Sequence, residues 1–489
     1  MKFFLFFFLL LAINSVAPAQ VRIFVHLDSS SKIPLTGRLT VSTTADTIKG
    51  FRNGVDNNQP RFALNLENWT NDSVIEINDE AEALSVKPSQ MRPGHYKVIG
   101  FMDASFERGA FNPGNFYSTK EPVLYVDESG KGEIHIFLNR EVKPRSFNSS
   151  DSIKLLDFRS RLLSEFHDKD INIKGAIILP ASYNTDSTKT FPVVYVIPGW
   201  GGTHYDALNT GMRERYGMRT GLEKIYVYLN PETQTRWGLH AFIDSRVNGP
   251  WGKALVEEVI PYIYTNYRAT KNSSHTYVMG QSSGGYPSLW LPLNYPDAFG
   301  GGWAVSPDPV DFSNFTGVNI YEKNANFYFN KDGSERGSFF KDGKYQSTVI
   351  KDVTAEMFDD DGTQTQSFEA AFGLTGKNGK PLYLFNRKTG IVNMQTANAW
   401  KQYDLGLYIQ KNWGRLSGKL SGRKLHVYAG ANDNFHLDRS VKALKEKAEA
   451  VKADIVIDII PGADHWSIWS KEFTERIQRE MDALILSSD

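Results

Sequence analysis

From about residue 153 onward, the chain alternates between short apolar runs and longer segments with helical periodicity. Phe191–Ile197 reads FPVVYVI, the continuous apolar pattern of a strand that is buried on both faces. Similar runs recur at Lys224–Leu229, Thr276–Met279, Gly302–Val305, Lys424–Tyr428 and Asp454–Ile460. Strands of this type, separated by helices, are typical of a mostly parallel sheet. We therefore predict an α/β fold for residues 153–489.

Three helical segments are predicted between and after these strands. They are Lys253–Tyr267, in which Pro261 predicts a kink, Leu437–Lys452 and Trp466–Leu486. The stretch 306–421 interrupts the rhythm and is far longer than an ordinary connection of about 2–6 residues. Long insertions at the carboxyl edge of such a sheet commonly cover its site. We expect a partly helical cap or lid here.

Residues 20–147 have a different character, since helical periodicity gives way to short β-rich runs. The predicted strands are Val21–Leu27, Arg38–Thr43, Ser73–Ile77, His95–Asp103, Pro122–Val126 and Glu133–Leu138. Gly, Asn, Asp and Pro clusters separate them, as in an antiparallel β-sandwich. The polar segment Glu141–Ser152 marks the boundary between this accessory domain and the α/β domain.

The N-terminus has the pattern of a secretory signal peptide. Lys2 precedes the apolar run Phe3–Ile13, and Ala17-Pro18-Ala19 forms an A-x-A cleavage site, so we expect cleavage after Ala19 (signal peptide 1–19). The run is too short for a membrane span of about 20 residues, and no other stretch is long and apolar enough. We expect a secreted or periplasmic protein with no integral membrane segment after cleavage.

Composition excludes several classes of function. The chain has 55 basic residues (Lys and Arg) and 55 acidic residues (Asp and Glu), so its formal net charge is zero. Because there is no excess of positive charge, nucleic acid is not an expected partner. Cysteine is absent, which removes disulfides, thiolate metal sites and cysteine nucleophiles.

The segment Gly280–Gly284 (GQSSG) matches the G-x-S-x-G nucleophile elbow directly after the strand Thr276–Met279. In this elbow the central serine sits on a sharp strand-to-helix turn that exposes its hydroxyl above the sheet edge. The spacing selects Ser282 rather than its neighbour Ser283. Ser282 is therefore the predicted nucleophile.

A serine nucleophile needs a histidine base and a carboxylate that orients the histidine. His465 follows the last core strand, and Asp433 follows the strand Lys424–Tyr428, which produces the chain order Ser, Asp, His. Asp438 is instead expected to begin the next helix. Two alternatives stay open: His465 could cap a helix near Asp464, and His436 with Asp433 could be metal ligands.

An oxyanion hole requires two backbone N–H donors. One is predicted to be the amide of Ser283, which follows the nucleophile. The second is predicted in the loop Pro198–Thr203, from Trp200 or else Gly201, although these glycines could simply form a tight turn.

Four residues are candidates for binding substrate at the same edge of the sheet. Asp244, Asn248 and Trp251 belong to one loop, and Trp466 follows the predicted base. Ordinary turn chemistry around Asn248 and burial of tryptophan in a core are the competing interpretations.

Taken together, these segments resemble the esterase D-like branch of the α/β-hydrolase superfamily, which includes feruloyl and acetyl-xylan esterases. The resemblance covers roughly residues 153–489 and rests on VVYVIPGWGG, DSRVNGPWG, VMGQSSGGYPSLWLPLNYPDAFGG, YAGANDNF and PGADHWS. It implies the triad Ser282, Asp433 and His465, with no metal and no organic cofactor. Together with the predicted signal peptide, it leads us to expect a secreted serine esterase acting on an ester substrate, with carbohydrate-linked acyl groups slightly favoured.

Other functions are compatible with the same residues. The alternatives are a siderophore-ester hydrolase, a serine peptidase, an acyltransferase that uses the same triad, and a non-catalytic glycan-binding protein. Neither the substrate nor the oligomeric state follows from the sequence.

Overall fold

The computed structural model describes residues 21–28, 34–46, 50–51, 55–56, 58–105, 112–377 and 379–488. The predicted signal peptide, 1–19, lies outside the described residues. Contacts among the described residues divide the chain into two compact units. The N-terminal unit comprises the described residues up to Ser105 together with Pro113–Lys143. The C-terminal unit holds Pro144 onward. This division falls within the predicted boundary segment 141–152.

The N-terminal unit is built from strands alone, apart from one 3₁₀ turn in its described part. The strands are β1 (Val21–Leu27), β2 (Leu35–Thr44), β3 (Arg61–Trp69), β4 (Ile75–Ile77), β5 (Glu82–Leu84), β6 (Gly94–Asp103), β7 (Phe116–Tyr117), β8 (Val123–Val126), β9 (Gly132–Leu138) and β10 (Arg140–Glu141). One sheet has the order β4-β1-β9, and the other has the order β10-β7-β6-β2-β3-β5, with β8 also paired to β6.

Buried side chains of both sheets, among them Ile23 and Val41, belong to one hydrophobic cluster. The sequence predicted antiparallel strands throughout, but β1 and β9 run parallel to each other. These two strands are far apart in the chain, so no hairpin forces them to be antiparallel.

The C-terminal unit is organised around one eight-stranded sheet. The strands of this sheet are β11 (Ile153–Ser160), β12 (Ile171–Ile178), β13 (Val193–Ile197), β14 (Ile225–Leu229), β17 (Thr276–Gln281), β18 (Gly301–Val305), β21 (Leu425–Gly430) and β22 (Ile455–Ile460). Two short hairpins lie outside it, formed by β15 (Asp244–Ser245) with β16 (Gly249–Pro250) and by β19 (Gly337–Lys341) with β20 (Lys344–Thr348). The large sheet has the order β11-β12-β14-β13-β17-β18-β21-β22.

The six predicted apolar runs all form strands of this sheet, and from β14 to β22 every pairing is parallel. The structure adds β11 and β12, which pair antiparallel at one end. β11 was missed because it carries Lys154, Asp157 and Arg159 among its apolar residues. An edge strand keeps one side exposed and so lacks a continuous apolar pattern.

The described part of the C-terminal unit contains eleven α-helices. They are α1 (Arg161–His167), α2 (Thr210–Arg215), α3 (Trp251–Ala254), α4 (Ile260–Asn266), α5 (Gly285–Asn294), α6 (Val349–Asp359), α7 (Gln364–Phe372), α8 (Met394–Trp400), α9 (Leu405–Leu420), α10 (Leu437–Ala450) and α11 (Lys471–Ser488). The predicted kink near Pro261 takes the form of a π-helical turn, Leu255–Val259, between α3 and α4. In the described part of the chain, none of the helices combines the length and apolarity that a membrane span needs.

The long segment 306–421 contains the hairpin β19–β20 and the helices α6 to α9. Hydrogen bonds attach its hairpin to the loop after β21, and two of them join Asn434 and Phe340. The amide nitrogen of the Asn434 side chain donates to the carbonyl oxygen of Phe340 at 2.8 Å, and the backbone N–H of Phe340 donates to the carbonyl oxygen of Asn434 at 2.9 Å. This loop also carries Asp433, so the insertion contacts the predicted site.

Candidate active site

The turn after β17 holds Ser282 in an unusual backbone conformation. Its φ is +57°, in the left-handed region that non-glycine residues rarely adopt. A Cβ at Gly280 or Gly284 would overlap the carbonyl oxygen of Ile197 at the end of β13. Only glycine lets β13 and this turn approach so closely, and the turn leads directly into α5. This is the strained strand-to-helix geometry expected of a nucleophile elbow.

The predicted base and acid lie in direct contact. The Nδ1 atom of His465 is 2.8 Å from an oxygen of the Asp433 carboxylate, and both side chains are at least 95% buried. The other Asp433 oxygen accepts hydrogen bonds from the backbone N–H groups of Phe435 (2.9 Å) and Leu437 (3.3 Å). A carboxylate held in this way can only accept, so Nδ1 carries the proton and Nε2 keeps a free lone pair.

Neither alternative interpretation of the histidines agrees with these contacts. The turn at the end of β22 is capped by Asp464, whose carboxylate accepts from the N–H groups of Trp466 (2.9 Å) and Ser467 (2.7 Å). His436 contacts the hydroxyl of Tyr345 at 2.9 Å. Among the described residues, no cluster of three or more His, Asp or Glu side chains could hold a metal ion.

Two hydrogen bonds bring the base loop to the elbow and to the acid loop. The side-chain amide of Gln281, adjacent to Ser282, donates to the carbonyl oxygen of His465 at 2.6 Å. The N–H of His465 donates to the side-chain oxygen of Asn434 at 3.1 Å. Within the described residues the Ser282 hydroxyl makes no hydrogen bond to the His465 ring. Such bonds often tighten only when substrate is bound.

The glycine-rich loop after β13 lies against the elbow. A Cβ placed on Gly199 would be 3.1 Å from both the Cβ of Ser282 and the carbonyl oxygen of Gln281. Trp200 follows and lines a cavity together with Ser283. Gly201 is exposed, with φ of +77°. The two predicted oxyanion donors, Ser283 and Trp200, therefore meet at one cavity, and Gly201 is not part of its lining.

Sequence reasoning missed Asp308, a buried carboxyl beside the elbow. Its side chain lines the same cavity, its residue exposure is 3%, and its N–H donates to the carbonyl oxygen of Ser282 at 3.0 Å. Burial raises the pKa of Asp308 to about 6, although contacts with the hydroxyls of Ser283 and Ser282 and the charge of His465 oppose that rise. Its position shortly after β18, next to the strand of the nucleophile, is the sequence signal that could have revealed it.

The cavity extends from the elbow towards the insertion. It is narrow, with a volume of about 10 Å³, which is room for about one water molecule. Residues from the elbow, the glycine-rich loop and α7 line it, among them Trp200, Ser283, Tyr286, Asp308, Phe368 and Phe372. Its walls are mostly apolar and aromatic, and Asp308, Ser283, Gln364 and Ser367 are the polar residues among them.

The predicted substrate loop does not line this cavity. The carboxylate of Asp244 accepts from the N–H of Lys253 in α3 (2.9 Å) and from the hydroxyl of Tyr295, which follows α5. Asn248 is 1% exposed, and its carbonyl oxygen accepts from the indole N–H of Trp251 at 2.8 Å. These contacts describe turn and core residues, and substrate binding by Asp244, Asn248 and Trp251 stays a prediction without a supporting contact.

Trp251 packs in the core, where its ring stacks on that of His240 with centroids 3.4 Å apart. Trp466 is different, since it is 45% exposed beside the predicted base. Its ring lies 5.3 Å from the His465 ring and 5.9 Å from that of Phe339 in the insertion. An exposed aromatic surface therefore adjoins the site.

A profile of the protein family described as "Putative esterase" matches residues 168–479, the greater part of the chain. The chain belongs to this family. The esterase accordingly has the α/β-hydrolase fold, in agreement with its mixed eight-stranded sheet, and it is a carboxylic ester hydrolase. The predicted esterase D-like membership is confirmed.

Several solved structures are similar to the esterase. A ferulic acid esterase is 13% identical, with 68% of this chain and 98% of that chain covered and a TM-score of 0.43. An S-formylglutathione hydrolase from Agrobacterium tumefaciens is 15% identical, with 70% and 96% covered and a TM-score of 0.39. A ferulic acid esterase from Anaeromyces mucronatus is 15% identical, with 70% and 95% covered and a TM-score of 0.35. No curated protein matches the chain at a significant level.

Proposed function

We propose that this protein is a secreted serine esterase whose catalytic triad is Ser282, His465 and Asp433. One observation carries the proposal: a buried 2.8 Å contact joins His465 and Asp433, and Gln281 connects the histidine loop to the strained turn of Ser282. Nucleophile, base and orienting acid are thus contributed by three distant parts of the chain. This is the arrangement that ester hydrolysis through an acyl-enzyme requires.

The mechanism follows from which nitrogen of the His465 ring carries the proton. Its free Nε2 accepts the proton of the Ser282 hydroxyl while the serine oxygen bonds to the carbonyl carbon of the ester. The backbone N–H groups of Ser283 and Trp200 stabilise the resulting oxyanion. The imidazolium then donates its proton to the alkoxide, which departs as an alcohol. Water, deprotonated by the same ring, releases the acid, and Asp433 stabilises the charged histidine in both steps.

The substrate side of the proposal is an acyl group carried by a carbohydrate. The exposed ring of Trp466, with Phe339 and Phe435 around it, offers the aromatic surface on which sugar rings pack, next to the base that protonates the leaving alcohol. Part of the insertion, α7, supplies cavity walls, which supports its proposed role as a cap. We also propose that the two N-terminal sheets form a β-sandwich accessory domain, and that the predicted signal peptide exports the enzyme.

Labelling with a fluorophosphonate probe and mass mapping of the modified peptide test the proposal directly. We expect the probe on Ser282, and we expect Ser282→Ala to lose the label and to lower the hydrolysis of a p-nitrophenyl ester by about 10⁴-fold or more. Ser487→Ala, at an exposed serine of α11, serves as the matched control and should behave as the wild type. Unchanged labelling of Ser282→Ala would refute the triad.

A matched ester and amide with the same acyl group separate the proposed esterase from a peptidase. An esterase should cleave the ester and leave the amide, whereas a peptidase should cleave both. Addition of sugar alcohols tests acyl transfer, because a transferase would divert the acyl group from water to the added alcohol. Reaction with water alone supports hydrolysis.

A further inference from the structure

A second cleft lies in the C-terminal unit, outside the candidate active site. Its volume is about 650 Å³, within the usual range of about 300–1,000 Å³ for ligand-binding pockets. Three tyrosine side chains, Tyr183, Tyr262 and Tyr267, line it together with Asn184 and Asn266, and we call it the tyrosine cleft. It is wide and open to solvent, so it can admit a segment of a longer molecule.

The tyrosine cleft lies at the opposite edge of the large sheet from Ser282. Its wall includes Leu179, which directly follows β12, and β12 runs antiparallel to β14, so that Ile178 pairs with Tyr226 near the start of β14. Ser282 instead follows the end of β17, which belongs to the same parallel set as β13 and β14. The starts and the ends of parallel strands lie at opposite edges of a sheet. A ligand in this cleft therefore lies away from the reactive groups.

Neighbouring side chains hold two of the three tyrosines in place. The guanidinium carbon of Arg268 lies 3.9 Å from the centroid of the Tyr183 ring, and the Arg268 side chain donates to the Tyr183 carbonyl oxygen. The backbone N–H of Arg268 donates to the Tyr183 hydroxyl at 3.2 Å. Tyr262 packs against Phe158, with ring centroids 5.3 Å apart. Rings that are already fixed lose little conformational freedom when a ligand binds.

The polar groups of the tyrosine cleft lie close together, and several of them are uncommitted. Burial raises the pKa of Tyr267 to about 12, and the phenol groups of Tyr262 and Tyr183 contribute to the rise, so the three phenols are neighbours. Over the described ranges of the chain, the hydroxyls of Tyr262 and Tyr267 and the side chain of Asn184 make no hydrogen bond. Hydroxyl and amide groups can both donate and accept. The cleft therefore offers donors and acceptors beside aromatic rings.

The charged residues of the lining balance each other. Asp151 and Lys154 are its one acid and its one base, and within the described residues neither forms an ion pair. A balanced site gives no electrostatic preference for an anion or a cation. Tyrosine combines an apolar ring, which packs on the C–H groups of a sugar ring, with a hydroxyl that bonds to the alcohols of the sugar. We infer that the tyrosine cleft is a second binding site, which takes a neutral oligosaccharide.

A carbohydrate held in the tyrosine cleft anchors the enzyme on a long substrate without occupying the reactive site. Binding of one segment keeps other segments of the same carbohydrate chain at a high local concentration. The inference concerns binding alone, so it does not require Ser282 to be the nucleophile.

Isothermal titration calorimetry with xylohexaose, cellohexaose and mannohexaose tests the inference. The titrations use Trp466→Ala, so that the exposed ring beside His465 does not contribute, and we expect at least one hexasaccharide to bind with a Kd below about 10 mM. Asn266→Arg, added to this variant, places a long side chain in the cleft from an exposed position and should weaken the binding about tenfold or more. Tyr262→Ala should weaken it similarly, because it removes a ring. Thr265→Arg, at the adjacent exposed position of α4 and outside the lining, is the matched control and should leave the binding unchanged.

No binding of any of the three hexasaccharides, or binding that Asn266→Arg leaves unchanged, would overturn the inference. An equal loss in Thr265→Arg would overturn it too, because the effect would then come from the added charge rather than from filling the cleft. If Tyr262→Ala does not fold, Asn266→Arg decides by the same criterion. Failure of the proposed function is a separate result, since absence of the fluorophosphonate label on Ser282 leaves sugar binding in the cleft as expected.

Discussion

Replacement of Asp308 by asparagine should make the C-terminal unit more stable at neutral and alkaline pH. The carboxyl is buried beside the elbow, and its pKa is raised from 3.8 to about 6. In the unfolded chain the group regains its ordinary pKa. Between these two values the folded state therefore binds more protons than the unfolded state, and stability falls as pH rises through this window. Above pH 6 the whole loss is present.

The size of the effect follows from the pKa difference. The shift from 3.8 to about 6 is about 2 pKa units, and each unit corresponds to about 1.4 kcal/mol. The ionised carboxyl therefore costs about 3 kcal/mol at pH 8, and about 1 kcal/mol at pH 4.5, where the folded state keeps most of its protons. An amide cannot ionise. Asp308→Asn should recover most of this cost at pH 8 and less of it in acid.

Urea unfolding followed by tryptophan fluorescence measures this difference. Trp69 is the only tryptophan of the N-terminal unit, so the signal reports chiefly on the C-terminal unit. Glu446→Gln, at an exposed position of α10, is the control and should change the free energy of unfolding by less than about 0.5 kcal/mol. A variant no more stable than wild type at pH 8, or a gain that is the same at both pH values, would refute the reasoning.

Four other substitutions, one of them a control, test the site and the elbow. Asp433→Asn should lower kcat for a p-nitrophenyl ester by about 10³–10⁴-fold, because the amide no longer holds His465 in the required tautomer; near-normal turnover would exclude Asp433 as the acid. Gly284→Ala should destabilise the protein by more than about 2 kcal/mol in thermal unfolding, because its Cβ would overlap the backbone of Ile197. The control Gly414→Ala, in α9 with open space around it, should instead stabilise the protein by about 1 kcal/mol. Equal effects of the two glycine variants would contradict the close approach of Gly284 to Ile197. Trp466→Ala should raise KM for sugar-linked esters more than for ethyl esters, and a uniform change would argue against a sugar contact.

Local sequence patterns were sufficient to predict the central strands and the residues proposed as the triad. A strand buried on both faces must be apolar throughout, so β13, β14 and β17 are recognisable from a few consecutive residues. The elbow has a local signature as well, because Gly280 and Gly284 are required by a backbone approach within one turn. The contact between His465 and Asp433 could be predicted from chain order, since both follow strands of one parallel sheet.

Other features depend on which distant segments pack together. Asp244 and Trp251 occupy a loop near the expected edge, but Asp244 is bound by Tyr295, which lies beyond the nucleophile strand in the chain, and Trp251 stacks on the buried His240. The edge strand β11 escaped prediction for a related reason, because its exposure is decided by its place in the sheet.

By itself, the sequence determined the sheet, the strained turn and the order of the reactive groups, because each depends on interactions within a few residues or on the regular geometry of parallel strands. Only the tertiary structure decided what surrounds Ser282. Asp308 becomes a buried carboxyl, and Phe368 and Phe372 become cavity walls, because the insertion folds back towards the elbow. Burial, and with it the pKa of a carboxyl group, is a property of the assembled neighbourhood that no short stretch of sequence encodes.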